Sequence, residues 1–212
     1  MSMGTAIIPS LPTGGDLTAM LLVVSFSAGL NVYATVAMLG ILSRTGVLGL
    51  PPSLHLVGNS YVIAGCAVLF LVEFVADKIP VFDLLWNALQ TFVRVPVAAV
   101  LAYGATSQLP RGEQLVATLL GGLVALAAHG GKVAARTAVT HSPEPFSNIA
   151  LSVGEDGAVV FLTWLAAHHP YASAAIVMVM LALIILTMRS VIRAMRRLFT
   201  PRRPFQAAAP AR

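Results

Sequence analysis

HGGKVAARTAVTHSPEPFSNIALSVGED, His129–Asp156, is the stretch whose reading decides the fold. Long apolar runs flank it on both sides, yet it holds Lys132, Arg136, Glu144, Glu155 and Asp156. His129, Lys132 and Arg136 are spaced i, i+3, i+7, which puts all three on one helix face. Asn148, Ser152 and Glu155 are spaced i, i+4, i+7, again one face. Pro143 and Pro145 between them set a turn, and Ser142 or Ser147 supplies a cap for the second helix. The stretch therefore reads as a helical hairpin with a basic face on one arm and an acid-polar face on the other. Counting outward from a turn near Pro143 and Glu144, Lys132 and Glu155 fall at about the same depth. A Lys132–Glu155 pair is the sharpest structural expectation. Arg136 comes level with Ser152, within reach of Glu144 or Asn148. Asp156 projects about 100° from Glu155, towards the second span and its charges.

The flanking runs set the fold class. The chain has 212 residues, 58% hydrophobic and 10% charged. A soluble domain carries roughly 25% charged residues, so this chain lacks the charge to cover a water-facing surface. An all-α, polytopic transmembrane bundle explains the deficit, because its outer surface faces hydrocarbon. The formal charge of +5 is concentrated near the C-terminus, at Arg189, Arg193, Arg196, Arg197, Arg202 and Arg203. Because these come directly after the apolar run Ala172–Met188, they read as an anchor to anionic headgroups, not a nucleic-acid patch. The single cysteine, Cys66, excludes an intrachain disulfide and a cysteine-rich metal site. The N-terminal residues have no positive n-region and contain Pro9 and Pro12, so a cleavable signal peptide is not expected.

In chain order, residues 1–15 read as a flexible lead and 16–188 as the transmembrane domain. About six spans are expected. The first runs from Leu17 to Leu42 and carries Asn31 near its middle. That amide needs an interhelical partner or faces a ligand on an interrupted helix. The second runs from Gly58 to Ile79 and ends in Glu73, Asp77 and Lys78. Glu73 and Asp77, at i and i+4, repel each other unless Lys78 or Lys132 lies near. Val81–Arg94, with Asp83 and Trp86, reads as an interfacial amphipathic segment leading into a third span, Thr91–Tyr103, kinked or started at Pro96, or as part of one tilted helix from Leu84 to Ala105. The fourth span covers Gln114–Ala138, the fifth Phe146–Ala167 and the sixth Ala172–Met188. The basic tail, 189–212, is expected in the cytoplasm. Six spans put both chain ends there.

Asn59–Pro80 and Asn148–Pro170 each run from an Asn through an Ala-Val-X-Phe-Leu core to a Pro. Two three-span halves, 16–106 and 113–188, would be inverted repeats with a site at their interface. A charge at a span's centre costs about 2.5–3.5 kcal/mol on insertion scales. Glu155 and Asp156 unpaired would together cost roughly 5–7 kcal/mol, which is a whole domain's stability. The expected pathway for an ion, a proton or a small anionic solute is Asn31, Glu73, Asp77, Lys78, Lys132, Arg136, Asn148, Glu155 and Asp156. Asp83, Trp86, His129, Pro143, Glu144 and Pro145 would support it. No HExxH, GxSxG or Walker sequence is present, and no enzyme, metal or cofactor is expected. The reading is a small permease-like transporter. Its alternative is a non-transporting membrane module that binds lipid or a partner protein. Membrane lipids are the expected surroundings, nucleic acid is not expected, and a homo-oligomer is left open.

Five ordered motifs carry a resemblance. They are SAGLN at Ser27–Asn31, EFVADKIP at Glu73–Pro80 with the subsequent Asp83 and Trp86, TFVR at Thr91–Arg94, HGGKVAAR at His129–Arg136 and SPEPFSN at Ser142–Asn148. Together they resemble the DUF4126 family of bacterial integral membrane proteins over about Asp16–Leu186. The resemblance implies a multi-pass protein of the bacterial inner membrane and brings no established activity with it.

Overall fold

Seven α-helices and one 3₁₀ turn account for the described chain. A computed structural model describes residues 12, 14–140 and 145–199. Inside those helices the side chains of residues 80, 81, 83, 84, 137–140, 145–148, 191 and 194–199 are not described. Helix α1 is Gly14–Leu30 and α2 is Val32–Arg44. The 3₁₀ turn Pro52–Gly58 leads into α3, Ser60–Ala76. Then come α4 (Pro80–Ala105), α5 (Arg111–Thr140), α6 (Pro145–His168) and α7 (Pro170–Phe199). No strand occurs among the described residues.

Local chemistry explains most of these boundaries. Asn31 and Asn59 each take an extended backbone and cap the next helix, Asn31 Oδ1 accepting from Ala34 N at 3.0 Å and Asn59 Oδ1 from Tyr61 N at 2.8 Å. Pro80, Pro145 and Pro170 stand at first helical positions, where a missing N–H is harmless. Gly46 adopts φ +74° just after α2, a conformation that an L side chain resists.

Burial is inverted relative to a soluble protein. Phe92, Leu119 and Val179 are exposed, whereas Glu73, Arg94, Lys132 and Arg136 are buried. That pattern suits a hydrocarbon solvent. Among the described residues, four helices are long and apolar enough to cross a membrane, in the segments Leu85–Ala105, Arg111–Arg136, Ile149–His168 and Pro170–Ser190. The 3₁₀ turn and α3, bent by 58°, make a fifth if taken as one span. About six is therefore slightly more than the helices supply.

The difference lies in the first apolar segment. Helices α1 and α2 are each too short, at 17 and 13 residues, and the chain breaks between them at Asn31. Their outer ends return to the same end of the bundle. Pro12, Leu17, Leu39, Leu54, Ala105 and Leu109 line one apolar cavity of about 180 Å³ there. Gly15 abuts Tyr171, at the start of α7, at that same end. The segment is thus a re-entrant hairpin with Asn31 at its tip. Its N-terminal end lies beside the start of α7.

Helix α1 is the centre of the bundle and packs against α4, α5, α6 and α7. Small residues allow this. A Cβ at Gly29 would overlap the Ala125 carbonyl, and one at Gly121 would come within 2.8 Å of Ala102 Cβ and 3.0 Å of Ser25 Oγ. Of the two readings of Val81–Arg94, the single continuous helix holds: it is the first half of α4, which carries Pro96 inside it. Asn87, Gln90 and Arg94, spaced i, i+3, i+7, turn their polar groups inward and are buried.

Candidate intramembrane charged site

Four helices bring ionised groups to the tip of the hairpin. Helix α3 contributes Glu73 and, at its C-cap, Asp77. Helix α4 contributes Arg94, α5 contributes His129, Lys132 and Arg136, and α6 contributes Glu155 and Asp156. Glu73 and Arg94 are both fully buried and form an ion pair. Lys132 Nζ lies 3.2 Å from Glu73, 3.0 Å from Asp77 and 3.5 Å from Glu155. Arg136 Nη2 donates at 2.7 Å to both Asp77 Oδ2 and Glu155 Oε2. Lys132 and Arg136 therefore bridge α3 to α6, each neutralising more than one carboxylate. Mutual pairing is what allows charges in a medium that cannot hydrate them.

The same cations hold the broken backbone. The extended residue at Asn31 frees carbonyls at the end of α1. Arg94 Nη1 reaches Gly29 O at 3.4 Å, and Lys132 Nζ reaches Leu30 O at 3.3 Å. On the other side of the break, Asn31 Nδ2 donates to Asp156 Oδ1 at 2.9 Å. Asp156 thus sits beside the N-terminal end of α2, where the helix dipole favours a negative group.

His129 completes a chain of hydrogen bonds. Arg94 Nη1 can only donate, so His129 Nδ1, 2.8 Å away, accepts. Nε2 then carries the ring proton and donates to Thr91 Oγ1 at 2.8 Å, and Thr91 donates on to Asn87 O at 3.2 Å. The imidazole is neutral in this arrangement. It positions Arg94 rather than adding charge.

The expected Lys132–Glu155 contact is present, although Lys132 lies nearer to Asp77 and Glu73. Of the two cations expected near Glu73 and Asp77, Lys132 is the one in contact with both, while Lys78 Nζ donates to Phe74 O at 2.8 Å and lies over the Phe74 ring. Asp156 faces α3 as expected, across a groove walled by Phe70 and Phe74, while its hydrogen bond goes to Asn31 at the hairpin tip. Arg136 finds its partners on Asp77 and Glu155. Trp86 stacks on Phe82. Pro143 and Glu144 lie outside the described residues, as do the side chains of Asp83, Pro145 and Asn148.

Arg94 ends the TFVR motif but is absent from the expected site residues. Its signal is nonetheless there, because Asn87, Gln90 and Arg94 repeat the i, i+3, i+7 spacing of His129, Lys132 and Arg136. Gln90 also ties α4 to the hairpin, with Nε2 donating to the Tyr33 hydroxyl at 3.0 Å.

One side of the site is open. Helix α2 packs against both α3 and α6. Between those two walls runs a groove of about 720 Å³. Met38, Phe70, Phe74, Phe161 and Trp164 line it, and Asp156 is its charged residue. Asp156 is 5% exposed, and its Oδ2 is buried with no hydrogen-bond partner among the described residues.

Apolar exteriors around buried ion pairs define a helical membrane-embedded protein with an internal charged site. The chain belongs to the DUF4126 family, a domain of unknown function, whose profile matches residues 18–190. No curated protein and no solved structure matches it.

Proposed function

We propose that this chain is a small carrier that exchanges a proton for a cation at Asp156, beside the tip of the re-entrant hairpin. The observation that carries this reading is the interrupted helix at Asn31, with ionised side chains on both sides of the break. Non-helical backbone at membrane depth is costly and is kept where it is buried in protein or lines a cavity. Carriers use such breaks to present carbonyls and helix ends to their substrates.

The charge balance supports the choice of Asp156. The cluster joins three cations, Arg94, Lys132 and Arg136, to four carboxylates, Glu73, Asp77, Glu155 and Asp156. Lys78 stands close by, bound to the Phe74 carbonyl, and faces Asp156 and Asp77 without an ion pair at contact distance. Asp156 itself has no cation in contact among the described residues, which leaves it the carboxylate that can take a proton or a cation. Lys132 and Arg136 are engaged by carboxylates, so a cation suits the site better than an anionic solute. In this reading the arginines that end α7 face the cytoplasm of a bacterial inner membrane. The inverted-repeat scheme pairs α3 with α6, which both lie against α2. It requires the unbroken α5 to correspond to the broken α1–α2 pair.

Vesicles loaded with a pH dye test the carrier. Inward gradients of sodium, potassium or an organic ammonium ion should release protons faster than in empty vesicles. Asp156→Asn should abolish that release while leaving helical content intact. Equal rates in wild type and Asp156→Asn would remove the reading. A second reading, a membrane module that moves nothing, draws on the completeness of the pairs among Glu73, Asp77, Lys132, Arg136 and Glu155. It predicts no proton release under any gradient.

A further inference from the structure

The groove names a class of ligand more narrowly than the charge balance does. We infer that the α2–α3–α6 groove binds a lipophilic organic monocation, its charge on Asp156 and its apolar body between the aromatic walls. This rests on the carrier reading only in taking Asp156 as the exchanging group.

Three features support it. The groove's volume of about 720 Å³ falls within the range of small-molecule sites, about 300–1,000 Å³. Its walls are aromatic, with Phe70 and Phe74 on α3 and Phe161 and Trp164 on α6. Aromatic faces attract cations that carry little hydration, alkylated ammonium ions above all. Asp156 then supplies the counter-charge. One of its oxygens is held by Asn31, and the other is buried and unpartnered among the described residues.

Competing occupants fit less well. A lipid acyl chain would fill the aromatic part but leave Oδ2 without a partner. A small hydrated ion would satisfy Oδ2 but leave the walls unused. An anion would meet the carboxylate directly. Phe161, Trp164 and Val160 are exposed on the outer surface of the bundle, so the groove opens sideways. A ligand dissolved in lipid enters without crossing water.

The test is equilibrium binding of tetraphenylphosphonium to the purified full chain, monitored by quenching of Trp164 in a Trp86→Phe background. Tetraphenylborate, the same shape with the opposite charge, is the control. Saturable binding of the phosphonium only is expected. Asp156→Asn should weaken it at least tenfold, and Val160→Trp, which narrows the groove and keeps the carboxylate, should weaken it as much. Glu113→Gln, on the first turn of α5, should leave it unchanged. Equal binding of the two probes, or an Asp156→Asn variant with wild-type affinity, overturns the inference. No gradient is needed, so the outcomes separate. Proton exchange without phosphonium binding would sink the ligand class and leave the carrier standing. Phosphonium binding without exchange would keep the site and remove the carrier.

Discussion

The basic face of α5 and the tip of the α1–α2 hairpin treat buried charge in different ways. On α5, Lys132 and Arg136 meet Glu73, Asp77 and Glu155 in a network where each carboxylate has a cation within 3.5 Å. Glu73 Oε2 and Asp156 Oδ2 are both buried without a hydrogen-bond partner among the described residues, but the other oxygen of Glu73 meets Arg94 and Lys132, whereas that of Asp156, at the tip, is held at 2.9 Å by one neutral amide. The two regions are neighbours, joined through Leu30 O and Asn31. A closed network fixes how helices pack, because moving any member uncovers a charge. A carboxylate held on one side only can change its partner without dismantling the rest. The first region is built for rigidity and the second for exchange.

Substitutions can break that contrast, the largest effect first. Arg94→Met leaves Glu73 buried with Lys132 as its remaining cation. It should destabilise the protein by about 3–5 kcal/mol, the usual cost of breaking a buried pair. Thermal unfolding in detergent measures this. Adding Glu73→Gln to that variant should recover most of the loss, and a double variant no better than the single one would show that the pair does not act as a unit. Glu155→Gln should cost about 1 kcal/mol, because Lys132 and Arg136 both keep Asp77. A loss as large as that of Arg94→Met would show that Asp77 alone does not satisfy Lys132 and Arg136. Lys78→Ala should shift stability by about 0.5 kcal/mol or less, since its ammonium group hydrogen-bonds the Phe74 carbonyl and makes no contact ion pair with the acids among the described residues. A large loss there would mean that a fourth cation belongs to the network.

Much of this is legible in the residues. Helical spacing puts His129, Lys132 and Arg136 on one face, and depth counting brings Lys132 to Glu155. Both readings use fixed helix geometry, so they survive in three dimensions. Asn31 is readable as a costly amide that needs a partner. The turn-back at Asn31 is not readable, because Leu17–Leu42 has the length and composition of an ordinary span. Its direction is set by what surrounds it. Arg94 and Lys132 cap the freed carbonyls, and Gly29 lets α1 press against α5. The choice between Lys78 and Lys132 is unreadable for a similar reason. Sequence proximity places Lys78 near Glu73 and Asp77, but a flexible side chain at a helix end has several partners in reach, here the Phe74 carbonyl and ring.

The ion pairs also bear on how such a chain is made. Glu73 and Arg94 lie on successive helices and Lys132 on the one after, so synthesis produces the acid before either cation that neutralises it. If α3 left the insertion machinery by itself, it would carry a bare carboxylate into hydrocarbon. It must wait for α4 in a sheltered place until Arg94 arrives. Assembly of the bundle is therefore tied to the order of translation, and a chain cut between α3 and α4 should be a target for membrane proteases.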